Sequence, residues 1–404
     1  MLSTRTALGA IWLFAGRFLN IGIGLASTII MARLLMPADI GIVTLAMSVM
    51  AVASAAAELP VGAALIQLKN PTQDDFDTAF TLSVLRGLII FTVMMVLAWP
   101  VAYAFKNSLT AQPHELAYLI MAFALYPLVL GFQNANFEQW ARELKFDREF
   151  LMSVTAKVVA FVVSVWLAFQ FRNYWALVAQ QLLLAGVSVL MTYVLRPKLC
   201  GFSLKSFKRI FNFSVWLGLG WLVNQINWRS DSFVIGAELG DDTLGQYSMG
   251  SNLANESTQM AIQAILRSLY SGFSQIQGER ARLQQAYLKA QSMTLAFVLP
   301  IGLGLSVLAD VLVPILLGPN WTLAVIVVQV SAPIAAIMTL TGPSQALGMA
   351  LGRTRTIFFR DVFSLVTRLP MLLFGIFTAG LVGVLIARAA SGVVMLIVNL
   401  TMVQ

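Results

Sequence analysis

The sequence predicts an all-α integral membrane protein of about twelve transmembrane helices, arranged as two six-helix bundles. Three observations predict it. Of 404 residues, 59% are hydrophobic and 11% charged, where a soluble domain carries about 25% charged residues. The apolar runs have the roughly 20-residue length of a spanning helix, not the roughly 9–11 residues of a barrel strand. The chain also resembles itself at an offset of half its length.

In order, the spans are expected at 7–34, 38–65, 76–105, 115–135, 150–171, 174–195, 208–236, 242–272, 286–308, 322–349, 356–377 and 379–402. Turn chemistry separates them: Met36-Pro37-Ala38-Asp39, Asn70-Pro71, Gln112-Pro113, Gly240-Asp241-Asp242, Gly318-Pro319-Asn320 and Thr378-Ala379-Gly380. The first segment follows Arg5 as a signal peptide would, but it runs too long and has no A-x-A site before the next span, so it is expected to be retained. Pro100, Pro127, Pro300, Pro333 and Pro370 fall inside spans, where each removes a backbone bond that neighbours must make good.

The placement of the 26 basic residues sets the expected orientation. With the N-terminus cytoplasmic, seventeen lie on inner connections, including Arg142, Lys145, Arg148, Arg196, Lys198, Lys205, Lys208 and Arg209, and only Arg33, Lys106 and Arg172 lie outside. Both termini are then cytoplasmic. Six basic residues remain within spans.

The offset of 204 residues pairs Trp12 with Trp216, Leu13 with Leu217, Gly16 with Gly220, Asn20 with Asn224, Leu35 with Leu239 and Gly41 with Gly245. Six is an even number of spans, so both halves enter from the same side and are related by a parallel pseudo-two-fold repeat. The expected organisation is an N-terminal bundle over 1–197, a basic cytoplasmic linker over 198–209 and a C-terminal bundle over 210–404. Repeats of this kind characterise transporters, with substrate bound between the halves.

Composition excludes much chemistry. One histidine (His114) and one cysteine (Cys200) leave no multi-histidine metal site, internal disulfide or CxxC motif. No connection exceeds about 15 residues, so no soluble catalytic domain fits. No enzyme activity, cofactor, metal or nucleic-acid partner is expected.

Ionisable residues inside a span mark a pathway by default. The basic ones are Arg17, Arg86, Lys157, Arg229, Arg368 and Arg388, against Glu58, Asp231, Glu256 and, near a helix end, Asp361. At 100° per residue, Arg17, Asn20, Gly24, Ser27 and Thr28 share one helix face. Asn224, Asn227, Trp228 and Asp231 form the corresponding stripe in the second half. The 242–272 span is the most polar, with Ser248, Ser251, Asn252, Asn255, Gln259 and Gln263 along one side and Glu256 at its border. Such stripes must border protein or a water-filled cavity. The excess of cations favours an anionic substrate, and a guanidinium suits phosphate through its planar fork. Asp361, Ser364 and Arg368 share a helix face and fit a structural ion-pair patch equally well. The amides on the 242–272 span suit either interhelical bonding or sugar hydroxyls.

The stretch "LASTIIMARLLMPADIGIVTLAMSVMAVASAAAELPVGAALIQLK" resembles the first two helices of bacterial polysaccharide transporters, the Wzx-type flippases of the MOP exporter superfamily. Leu34, Leu35, Pro37, Asp39, Gly41 and Gly62-Ala63-Ala64-Leu65-Ile66-Gln67 carry the likeness. "NWRSDSFVIGAELGDDTLGQYSMGSNLA" resembles the family's central helix junction through Asp231, Gly236, Gly240, Leu244, Gly245 and Tyr247. "ALGMALGRTRTIFFRD" resembles the stretch before its eleventh helix through Gly352, Arg353 and Arg355. The pattern is most similar to the colanic acid and succinoglycan exporter branch. The resemblance implies a MOP-like fold and movement of an oligosaccharide linked to undecaprenyl diphosphate from the cytoplasmic to the periplasmic leaflet, by alternating access. It implies a bacterial inner-membrane protein, with membrane lipid and a polysaccharide polymerase complex as partners. Many relatives have two further helices, fourteen in all, and the twelve spans expected here fit either a natural twelve-span form or one lacking those two. The expected cavity residues are Arg17, Asn20, Ser27, Arg86, Lys157, Asn224, Asn227, Asp231, Asn252, Asn255, Glu256, Gln259 and Arg368, with Asp231 or Glu256 open to ion coupling. The competing expectation is a MATE-like drug or cation antiporter, which would want acidic residues at the cavity centre.

Overall fold

The computed structural model describes residues 2–58, 61–68, 71–143, 145–195, 198–276, 278–351 and 354–401, and among them there is no strand. The helices are α1 (Leu2–Leu34), α2 (Pro37–Ala56), α3 (Val61–Gln67), α4 (Gln73–Ala104), α5 (Pro113–Gly131), α6 (Gln139–Arg142), α7 (Phe146–Phe171) and α8 (Trp175–Leu195). They continue as α9 (Phe207–Glu238), α10 (Gly240–Gln275), α11 (Arg280–Leu316), α12 (Thr322–Met338), α13 (Thr341–Ala350) and α14 (Thr354–Thr401), with a 3₁₀ turn at Ala135–Glu138. Nine stretches among the described residues are long and apolar enough to cross a membrane, which makes this a multi-pass membrane protein. α14 is one of the nine although it contains two helices; α9 and α10, with 32 and 36 residues, are not among them.

Three of the expected breaks are glycines in the left-handed region: Gly240 (φ 84°), Gly318 (φ 107°) and Gly380 (φ 57°). Without a Cβ, glycine reaches this conformation at little steric cost. One expected span is shorter than its apolar run suggests, and another, 322–349, is kept as the span Thr322–Gly348 but built from two helices. Over 38–65, α2 stops at Ala56 and a separate short helix, α3, begins at Val61. The described residue Glu58, just past the end of α2, brings a charge into the run. Over 322–349, α12 ends at Met338 and α13 restarts at Thr341, placing Pro343 in a first turn where its missing N–H costs little. All five expected span prolines lie inside helices, joined by Pro314 in α11.

The chain divides into two compact units, Met1–Leu35 with Ile42–Gln225, and Met36–Gly41 with Ile226–Gln404. The basic segment 198–209 lies inside the first. There α4 packs on α5, α8 on α5 and α7, and α1 on α7. In the second unit α10 packs on α11, α12 and α13, and α14 packs on α12 and α13. α14 folds back on itself at Ala379-Gly380. Its two arms meet at Gly375 and Gly383, where a Cβ on either would overlap the carbonyl of the other. Close approach through small residues is how helices associate where apolar burial offers no drive.

One such approach bears on the repeat. The first turn of α2 belongs to the second unit and lies against α10. A Cβ on Gly41 would overlap the carbonyl of Asp241, and a Cβ on Gly245 would overlap the carbonyl of Pro37. Gly41 and Gly245, and likewise Pro37 and Asp241, stand 204 residues apart, the offset expected of the repeat. The same contact is therefore made twice, with the partners exchanged.

Gly41→Val and Gly245→Val should each destabilise the detergent-solubilised protein by about 1–3 kcal/mol, read as a lower melting temperature. Gly22→Ala, at a position with no atom within 4 Å of the added carbon, should leave it unchanged or raise it.

Candidate functional site

In the first unit the polar stripe of α1 is a seam against α7 and α8. Gly16 receives the ring of Phe150, which also packs at a tilt against Trp12, with ring centroids 5.0 Å apart. One turn on, Asn20 Nδ2 donates to Ser153 Oγ at 3.2 Å. Next, the Lys157 ammonium lies over Gly24, where a Cβ would stand 3.3 Å from Nζ. Then Ser27, which is buried, accepts from Gln180 Nε2 at 2.6 Å. The period of three to four residues on α1 meets the same period on α7, as a helix pair requires. Asn20 and Ser27 thus bond helices together. Arg17 stands exposed beside this seam and Lys157 is half-buried within it. Arg86 pairs with Glu58 at 2.6 Å, both side chains only partly exposed, so this pair is internally neutral.

The second unit holds a charge cluster that ties α9 and α10 to both arms of α14. Asp231 Oδ2 accepts from Tyr247 Oη at 2.5 Å and from Arg368 Nη2 at 2.7 Å. Arg388 Nη1 donates to Tyr247 Oη at 2.7 Å and to Ser251 Oγ at 3.1 Å, and lies 3.9 Å from the same carboxylate. Its guanidinium carbon is 5.9 Å from the centre of the Tyr247 ring, within cation–π reach. The Asp231 side chain is 6% exposed and each arginine 11%. Two cations on one carboxylate leave the cluster with a net positive charge.

The arrangement differs from the ion-pair patch expected along one helix face. Arg368 pairs across to α9, Asp361 pairs with Arg360 at 2.7 Å, and Ser364 accepts from Asn227 Nδ2 at 3.0 Å. Asn224, Asn252 and Glu256 are exposed and Asn255 is half-buried. The side chains of Gln259 and Gln263 lie outside the described residues, as do those of Leu13, Trp216 and Leu217. Sequence reasoning left Tyr247 and Arg388 out of the site. The signal for Tyr247 was its spacing, four residues before Ser251 on one face of α10. Among the described residues no group of three metal-ligating side chains occurs.

A residue that composition did not single out is Glu138, in the 3₁₀ turn. Its carboxylate abuts α3, where a Cβ on Gly62 would overlap it. Burial first, then the charge of Glu149, pushes its pKa up to about 7. Between about pH 4.5 and 7 the unfolded chain has released this proton and the folded chain keeps it, so its contribution falls as pH rises. The melting temperature should therefore drop between pH 5 and pH 8, and Glu138→Gln should flatten that drop. A Glu138→Gln slope as steep as the parent's would rule this group out as its source.

Because the Asp231 cluster is buried, removing its single acid leaves two uncompensated guanidiniums. Asp231→Ala should destabilise the protein by about 3–5 kcal/mol, measured as thermal stability in detergent. The combined Asp231→Ala, Arg368→Met variant should recover part of that loss.

A multi-pass helical protein with charges held inside its helical units is built as a membrane transporter. Its fold is shared by the lipid II flippase MurJ in an inward closed conformation, at TM-score 0.71 and 16% identity over 97% of this chain and 87% of that one. It is also shared by an inward-facing multidrug resistance MATE transporter of the MOP superfamily, at TM-score 0.67 and 16% identity over 94% of each. The family described as polysaccharide biosynthesis protein matches residues 30–326, and the chain belongs to that family. Its relatives include the lipopolysaccharide biosynthesis protein WzxC of Escherichia coli (strain K12), 24% identical over 95% of this chain and 77% of that one. The succinoglycan biosynthesis transport protein ExoT of Rhizobium meliloti (strain 1021) is 25% identical over 78% of this chain and 63% of that one.

Proposed function

We propose that this protein flips a polyprenyl-diphosphate-linked oligosaccharide from the cytoplasmic to the periplasmic leaflet of a bacterial inner membrane, by alternating access. Family membership carries the reading: the chain belongs to a polysaccharide biosynthesis family, and relatives bear names of lipopolysaccharide biosynthesis and succinoglycan transport. The chemistry agrees. An anionic diphosphate is met by cations, and spans read from the sequence hold six basic residues against four acidic ones. Arg17 and Lys157 in the first unit are the residues assigned to the diphosphate, and the exposed amides Asn224 and Asn252 to sugar hydroxyls. The proposal includes twelve spans in two bundles, cytoplasmic termini, undecaprenol as the lipid and a polysaccharide polymerase as neighbour.

The antiporter reading shares the fold, since MATE transporters have it too. The charge cluster argues against it: Asp231, the buried acid a drug cation or coupling ion would seek, is already held by Arg368 and flanked by Arg388.

Deletion of the gene should cause an unflipped lipid-linked repeat unit to accumulate on the cytoplasmic side, seen by mass analysis of extracted lipids. Lys157→Ala and Arg17→Ala should each abolish surface polysaccharide with the protein at normal level in the membrane. Normal export by both variants would sink the cationic assignment, and unchanged intermediates with new drug sensitivity would favour the antiporter.

A further inference from the structure

We infer that residues 198–207 form an interfacial wedge that docks the first unit onto acidic lipid headgroups. Between the end of α8 at Leu195 and the start of α9 at Phe207, the described chain is non-helical and bonded along α4. Its backbone is held by side chains of the protein. Asn134 and Asn136 donate to the Lys198 carbonyl at 2.9 and 3.2 Å. The N–H groups of Gly201, Ser203 and Ser206 donate to Asp77 Oδ1, Thr81 Oγ1 and Thr78 Oγ1 at 2.9, 2.9 and 3.2 Å.

The order of those partners gives the shape. α4 rises about 1.5 Å per residue from Gln73, so Asp77, Thr81 and Thr78 stand about 6, 12 and 7.5 Å along it. The segment runs beside this helix as far as Thr81, turns at Lys205-Ser206, where the Phe207 N–H donates to the Leu204 carbonyl, and comes back level with Thr78. Its tip presents Phe202, 73% exposed with its ring 5.4 Å from that of Phe80, and Leu204, 51% exposed. On the shoulders are Leu199, 70% exposed, and the exposed Lys198 and Lys205. Backbone groups satisfied by protein can approach hydrocarbon, where unsatisfied ones cannot. Apolar side chains at the tip with lysines above them match a leaflet, with acyl chains below and phosphates at ammonium height.

The sign of the charge selects the lipid. Residues 196–209 carry Arg196, Lys198, Lys205, Lys208 and Arg209 and no acidic residue. The acids facing the segment come from the start of α4. Asp77 is occupied by Gly201, Asp75 by the backbone of Thr72, and Asp74 lies 3.6 Å from Lys205. Counted over the sequence, the five cations of 196–209 outnumber the three acids Asp74, Asp75 and Asp77, and basic residues at a membrane surface attract anionic lipid.

The test uses the full chain in nanodiscs of phosphatidylcholine with and without phosphatidylglycerol. In a Cys200→Ser background, a fluorophore on Phe202→Cys should be quenched by acyl-chain quenchers and shielded from aqueous ones, and one on Lys198→Cys should be quenched at headgroup depth. Native mass spectrometry of the unlabelled parent should show phosphatidylglycerol retained over phosphatidylcholine, with the preference falling by about fivefold per lysine in Lys198→Gln and Lys205→Gln. An aqueous-accessible label at 202, or a lipid preference unmoved in the double lysine variant, overturns the proposal. Shielding of the label only after a protein partner is added overturns it too.

Discussion

In hydrocarbon there is no water to take up a stray hydrogen bond or charge, so every polar group must find its partner within the protein. That constraint explains more of this molecule than any single contact. The described chain within the spans is helical because a helix satisfies its own backbone, and it changes direction at glycines that turn without strain, as at Gly240 and Gly380. The polar side chains of α1 bond to α7 and α8 for the same reason.

The same constraint makes the Asp231 cluster a joint as well as a charge. Its members come from α9, α10 and the two arms of α14, and each hydrogen bond crosses from one helix to another. A buried ion pair adds little net stability, since desolvation offsets much of the attraction, but it penalises wrong arrangements heavily. Here that penalty falls on any packing that separates α9 from α14. Tyr247 and both guanidiniums engage the same oxygen, Oδ2, and the buried Oδ1 has no hydrogen-bond partner among the described residues.

Much of this was legible in the residues. Helices, turns and the glycine breaks follow from apolar run lengths and backbone chemistry, which act locally. The ends of α2 and α12 were less legible, because an apolar run continues past the point where the helix stops. Charged residues inside spans were recognisable as exceptions, but their partners were not. Arg368 shares a helix face with Asp361, yet it bonds to Asp231, 137 residues away. Spacing along one helix shows which residues point the same way; it cannot show which other helix stands opposite. Glu138 escaped notice because its perturbation comes from α3 and Glu149 folding around it, not from any motif.

The approach of the first turn of α2 to α10 leaves no room for a side chain at either glycine. Gly41 meets the carbonyl of Asp241 while Gly245 meets that of Pro37, so backbone rather than side chain sets the spacing there. A contact of that kind is all-or-none, because a carbon added on either glycine has no rotamer through which to escape and must push one helix off the other. The residues Met36–Gly41 are thereby held in the second unit by shape.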